Sequence, residues 1–145
     1  MASFNKFNVF STDLSTKKHD LNADQLNVAL ASTAPVATNA VFADVTEISA
    51  GNGYTAGGID TQNTGSGSSG TYTVTGTNTT WTSATGDMAA FRYIYLYNVT
   101  QTSPVKPLVG WWDYGSALTL HGANGDTFTV QFNGGASSGT ILTVA

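Results

Sequence analysis

The sequence predicts a mainly β protein: a single antiparallel β-sandwich, jelly-roll-like, spanning residues 1–145, with a short N-terminal amphipathic helical segment. Three observations predict it. Apolar residues recur with period 2 in several short runs, as in "DTFTVQF", where Phe128, Val130 and Phe132 alternate with Thr127, Thr129 and Gln131. Gly-rich turn signals separate those runs. Beyond the first twenty residues no long stretch follows helical spacing, which leaves a sandwich or a small barrel. At 145 residues the chain suits one domain, and a domain of this size buries roughly 68–70% of its unfolded surface.

The elements follow in order. Phe4, Phe7, Phe10 and Leu14 keep helical spacing, with Lys17 and Lys18 at the C-terminal turn, so residues 4–18 are expected to form the helix of an N-terminal arm covering 1–20. An apolar arm of this kind suits burial on its own sheet or exchange between copies. "LNVAL" aligns Leu26, Val28 and Leu30 on one face of a strand. "GNGYTAGG" marks turns with close backbone approach, and residues 61–70, centred on "NTGSGSSG", are expected to be a mobile loop.

"TYTVTG" is the next strand, with Tyr72 and Val74 against Thr. "FRYIYLYN" carries Phe91, Tyr93, Tyr95 and Tyr97 on one face and Ile94 and Leu96 on the other. "PLVGWWDYG" sets Leu108, Trp112 and Tyr114 opposite Val109 and Trp111. Strands apolar on both sides are central strands covered twice, or strands with one face kept for a partner. The Pro-containing segment between them reads as a loop joining neighbours. The Asn124–Gly125 pair predicts a hairpin between 117–120 and 127–132, and "TILTVA" is a last strand.

The composition excludes several functions. There are no cysteines, so there is no disulfide scaffold, thiolate zinc site or cysteine nucleophile. The net charge of −4, with five Lys and Arg scattered along the chain, argues against nucleic acid, because counterion release needs a basic patch. No apolar run approaches the ~20 residues of a membrane span, and "MASFNKFNVFSTDLS" lacks the unbroken apolar run of a secretory signal. Charged residues are 10% of the chain against a typical ~25%, so the surface is polar without being charged.

Catalytic constellations are weak. His19 and His121 lie far apart without metal-ligand spacing, and His19 beside Asp20 reads as a solvated turn. Ser116, His121 and Asp126 make a triad on paper, but no Gly-x-Ser-x-Gly elbow supports it. Asp113, between Trp112 and Tyr114, is the one carboxylate in an aromatic setting, and it lacks the second acid a glycosidase needs. It is expected to point outward and bond a neighbouring Thr or Tyr. No catalytic residue, metal site or cofactor is assigned, and the protein is expected not to be an enzyme.

The rings remain. Adjacent strand residues point to opposite faces, so Trp111 and Trp112 cannot both line one site. One belongs to the core; the other, with a Tyr row beside it, is core, protein interface or sugar platform. The candidate interface residues are Phe4, Phe7, Tyr93, Tyr95, Tyr97, Trp111, Trp112 and Tyr114.

Taken together and in order, "STAPVATNAVFADVTEISAGNGYTAGG" (32–58), "FRYIYLYN" and "PLVGWWDYGSALTL" followed by "GDTFTVQFN" resemble a family of small virion structural proteins of tailed bacteriophages. The resemblance covers nearly the whole chain through motifs of fold rather than chemistry. It implies an exterior component of the particle, a capsid decoration or cement protein that self-associates as a dimer or trimer. The implied partners are the major capsid protein and copies of the chain itself. The implied place is the capsid surface, after synthesis in the host cytoplasm. A tail or head-fibre role in which an aromatic platform recognises host glycan is the alternative.

Overall fold

The N-terminal aromatic spacing resolves into two elements where one helix over 4–18 is expected. Strand β1 (Asn5–Lys6) comes first, then helix α1 (Asn8–Ser15), with Phe7 in extended backbone between them. Asn5 and Lys6 pair with Trp111 and Gly110, so sheet hydrogen bonding claims the first turn of the expected helix. The remaining strands are β2 (Leu26–Ala31), β3 (Ile59–Asp60), β4 (Thr64–Ser68), β5 (Thr71–Thr77), β6 (Thr79–Thr82), β7 (Phe91–Asn98), β8 (Leu108–Leu118), β9 (Thr127–Val130) and β10 (Ser138–Val144). This computed structural model describes residues 2–133 and 137–145.

The architecture is a sandwich of antiparallel sheets. One layer is five-stranded in the order β1-β8-β7-β2-β3. The facing layer holds the three-stranded sheet β10-β5-β4 and the pair β6-β9. β5 and β6 follow one another across Asn78 as a single extended path. β10 lies along its first part and β9 along its second, and an Asn133–Thr140 bridge joins those two partners.

The main core fills the space between the layers. Leu26, Val28, Leu30, Ile94, Leu96 and Val109 from the large sheet meet Val74, Trp81, Phe132, Ile141 and Leu142. Full burial of each such side chain stabilises by roughly 1.5–3 kcal/mol relative to exposure. A second cluster covers the opposite face of the large sheet, where Phe7, Ala29, Ala31, Tyr95, Tyr97 and Leu108 pack with Val9, Phe42 and Val45. The apolar double-sidedness of β7 is therefore that of a central strand covered twice.

Four expectations are corrected here. Phe91 packs in the main core with Ile94 and Leu96, not with the Tyr row, because a register shift against β8 separates Phe91 from Tyr93. A second shift, between Leu96 and Tyr97, places Leu108 on the face of Trp111 and Val109 on the face of Trp112, the reverse of strict alternation. The stretch 61–70 is not simply a loop: β4 pairs with β5 through a turn at Ser69 and Gly70, with φ of 50° and 82°. The hairpin expected at Asn124–Gly125 does not form. His121 and Asp126 close a longer loop through their backbones, and β9 pairs with β6 in the other layer.

Candidate functional site

The eight candidate ring residues divide by where the two register shifts leave them. Phe7, Tyr95 and Tyr97 are interior. Phe7 stacks on Tyr95 at 6.0 Å and tilts against Trp111 at 4.5 Å, while Phe42 lies flat on Tyr97 at 3.9 Å and 7°. The Tyr95 hydroxyl donates to the Thr33 carbonyl at 3.2 Å and that of Tyr97 to Gly57 at 2.7 Å. Burial pushes both phenols up to about 12, so they are neutral donors. The Tyr row is thus no continuous platform: the segment between β2 and β3 covers two of its three rings.

Tyr93 and Trp111 keep partial exposure on that covered face. Tyr93 sits under the Arg92 guanidinium, 5.2 Å from its ring centre. Arg92 is also the partner of Asp113, where a Thr or Tyr is expected, through Nε–Oδ1 at 2.8 Å and a second nitrogen to Oδ2 at 2.9 Å. That fork, with the Gly115 N–H on Oδ1, holds the Asp113 carboxyl below its usual range, so it stays ionised.

The other three rings come together. Phe4, Trp112 and Tyr114 line a cleft of about 760 Å³ at the margin of the sandwich, walled on its far side by Phe128, Phe132 and Ile141. Phe4 lies 5.1 Å from Trp112, Trp112 lies 6.1 Å from Phe132, and Tyr114 meets Phe128 edge-on at 5.6 Å and 85°. Tyr114 is half exposed, at 50%. Lys6 is the one charged side chain on the lining among the described residues. Chemically the cleft offers aromatic faces and apolar area to a partner, with carbonyl and hydroxyl groups of β9 and β10 at its rim.

The cleft exists because the layers part there. β1 covers only Gly110 and Trp111 of β8, and five residues of β8 (114–118) answer two of β7. Tyr114–Ala117 therefore bulge outward and are exposed. Sequence reading names three of the lining rings and misses Phe10, Phe128 and Phe132, although the alternation of "DTFTVQF" already marks the last two as one face.

Among the described residues, Ser116, His121 and Asp126 are not joined as a triad. His121 is exposed, with Nδ1 2.9 Å from Asp87 Oδ2 and its backbone N–H on Asp126; among the described residues Ser116 is not hydrogen-bonded to it. His19 is not in a solvated turn but buried, with Nδ1 3.1 Å from the Asn98 amide and its ring 5.2 Å from Phe10. Among the described residues no group of three or more His, Asp or Glu is placed to hold a metal ion. No family model, curated protein or solved structure matches the chain.

Proposed function

We propose that the protein is a non-enzymatic structural component of a tailed-phage virion, binding the capsid exterior as a decoration or cement protein and presenting the Phe4–Trp112–Tyr114 cleft margin to its neighbours. The observation that carries this reading is the half-exposed Tyr114 beside Trp112 at an apolar opening. Large aromatic side chains with one wet edge are what protein interfaces enrich. The phage context rests on the ordered sequence motifs.

The surface chemistry supports it. With 10% charged residues, contacts between copies or with a shell rely on apolar area and neutral hydrogen bonds, and salt screens them little. The outer strands β1 and β3 of the large sheet are two residues long, and β8 bulges where β1 ends, which discourages indiscriminate strand pairing in a crowded lattice.

The test is co-sedimentation of the purified protein with phage heads that lack it, comparing the native chain with Tyr114→Ala. Truncation of an interface hot spot costs at least about 2 kcal/mol, roughly 30-fold in affinity. Saturable binding of the native chain, weakened on that scale in a variant that still folds, is the expected result. Undiminished binding by Tyr114→Ala removes the cleft margin from the interface. Absence of head binding, with retention on immobilised host glycan that Tyr114→Ala loses, favours the second reading, in which the same concave aromatic cleft receives a sugar face.

A further inference from the structure

His19 occupies a junction that neither the core nor the aromatic cleft explains. Three parts of the chain meet at it: α1, the turn 20–24 and the C-terminal end of β7. The geometry fixes its protonation state through one amide. Asn98 Oδ1 accepts from the backbone N–H groups of Thr100 at 3.0 Å and Gln101 at 3.3 Å. Its orientation is thereby set, and Nδ2 points the other way, donating to Asp24 Oδ2 at 2.6 Å and to His19 Nδ1 at 3.1 Å. An amide nitrogen only donates, so Nδ1 must carry a lone pair and the proton of the neutral ring is on Nε2. His19 and Asn98 are both buried.

Protonating Nδ1 would set N–H against N–H between two buried side chains, His19 at 5% exposure and Asn98 at 0%. The groups facing the ring do not remove that conflict. Asp13 of α1 and Asp24 of the turn attract an imidazolium, but burial outweighs them, and Asp24 is already engaged by Asp20 N–H, Asn98 and Gln101. Asp13 Oδ2 and His19 Nε2 are both buried without a hydrogen-bond partner among the described residues. Lys17, Asp20 and Tyr72 line the small cavity that His19 borders, and Asn98 and Gln101 contribute no charge from the β7 side. Relief comes most directly from separating the segment that carries His19 from the strand that carries Asn98.

We propose that His19 and Asn98 form a proton-operated latch: protonation of His19 frees the segment Asn8–Asp24 from β7 while the sandwich stays folded. The device is independent of the capsid role. Its direction follows from linkage. The native site resists the proton that the unfolded or detached segment accepts near pH 6.5, so attachment is full above that value and weakens as pH falls towards the native midpoint.

Residue-resolved amide hydrogen exchange of the full chain between pH 7.5 and 5, expressed as protection factors, tests it. The native protein should lose protection selectively over residues 8–25, by up to about tenfold per pH unit, the limit for one proton. His19→Gln keeps an acceptor for Asn98 and cannot titrate, so its profile should be flat; His121→Gln should leave the native profile unchanged. Equal pH dependence in native protein and His19→Gln overturns the latch, as does a flat profile in the native chain. If His19→Gln does not fold, nitrogen NMR of the native imidazole decides. Nδ1 unprotonated at pH 7.5, with a native midpoint below 6.5 at the acid end of the loss of protection, supports the latch; Nδ1 protonated at pH 7.5, or a native midpoint at or above 6.5, overturns it.

Discussion

Two glycines with nearly the same backbone isolate how closely the turn after Tyr54 lies on the sheet. Gly58 has φ +69° and Gly125 has φ +65°, so alanine at either meets the same left-handed penalty, about 1–2 kcal/mol. Their surroundings differ. A Cβ on Gly125 would have nothing within 4 Å. A Cβ on Gly58 would lie 1.8 Å from the Val28 carbonyl oxygen and 2.8 Å from the Ala29 Cα. Those atoms belong to β2, held by β3 on one side and β7 on the other, so the strand cannot retreat without breaking ladder bonds. Overpacking of that kind adds about 1–3 kcal/mol. Gly125→Ala should therefore lose about 1–2 kcal/mol and Gly58→Ala about 2–5 kcal/mol. Urea titration reads the difference: with a slope of about 2 kcal/mol per molar, the midpoints should separate by roughly 0.5–1.5 M, Gly58→Ala the lower. Equal midpoints would refute the claim that this turn is seated against β2.

Two other perturbations probe the remaining parts of the fold. Trp81→Ala should cost about 3–5 kcal/mol by the same titration, since Trp81 is among the largest fully buried side chains. Trp81→Phe should cost clearly less, because the indole N–H it removes is buried without a partner among the described residues. The exposed His121–Asp87 pair has the opposite pH sense to His19. Asp87 raises the imidazole midpoint, so its contribution is present below about pH 6.5 and is lost as pH rises through the raised native value. The difference in melting temperature between native protein and Asp87→Asn should accordingly shrink from acid to alkaline buffer, and a constant difference would mean that the pair does not titrate.

The period-2 pattern carried the class of fold, and it identified β2, β5, β7, β8, β9 and β10 because each has at least one uniformly apolar face. What it could not convey were the two places where the period slips. Phe91 and Val109 obey perfect alternation in the sequence, and only the extra residues of β8 against β7 move them to the other face. Asn124–Gly125 has hairpin chemistry, but a turn residue specifies a bend rather than the strand that follows it. Trp81 sits in a four-residue strand, too short for periodicity to register. The cover over Tyr95 and Tyr97 comes from a segment with little regular structure, which no pattern announces, so these two proposed interface rings, like Phe7, proved to be interior. His19 read as solvated because its neighbours Lys18 and Asp20 are polar; its burial is decided by Asn98, distant in sequence.

The register of the large sheet also sets a timetable. Leu26 pairs with Asn98, and Asn5 pairs with Trp111, so β1 and β2 wait for the much later β8 and β7 to be translated. At about 5–20 residues per second, Phe4, Phe7 and Phe10 leave the ribosome on the order of 5–20 s before Trp111 and Trp112 follow. During that interval the nascent chain displays three phenylalanines with no surface to receive them. Contacts this distant close slowly even in the finished chain, because loop entropy must be overcome before any pairing is gained. The arm that lines the aromatic cleft in the folded protein is therefore, while the chain is being made, an uncovered apolar segment.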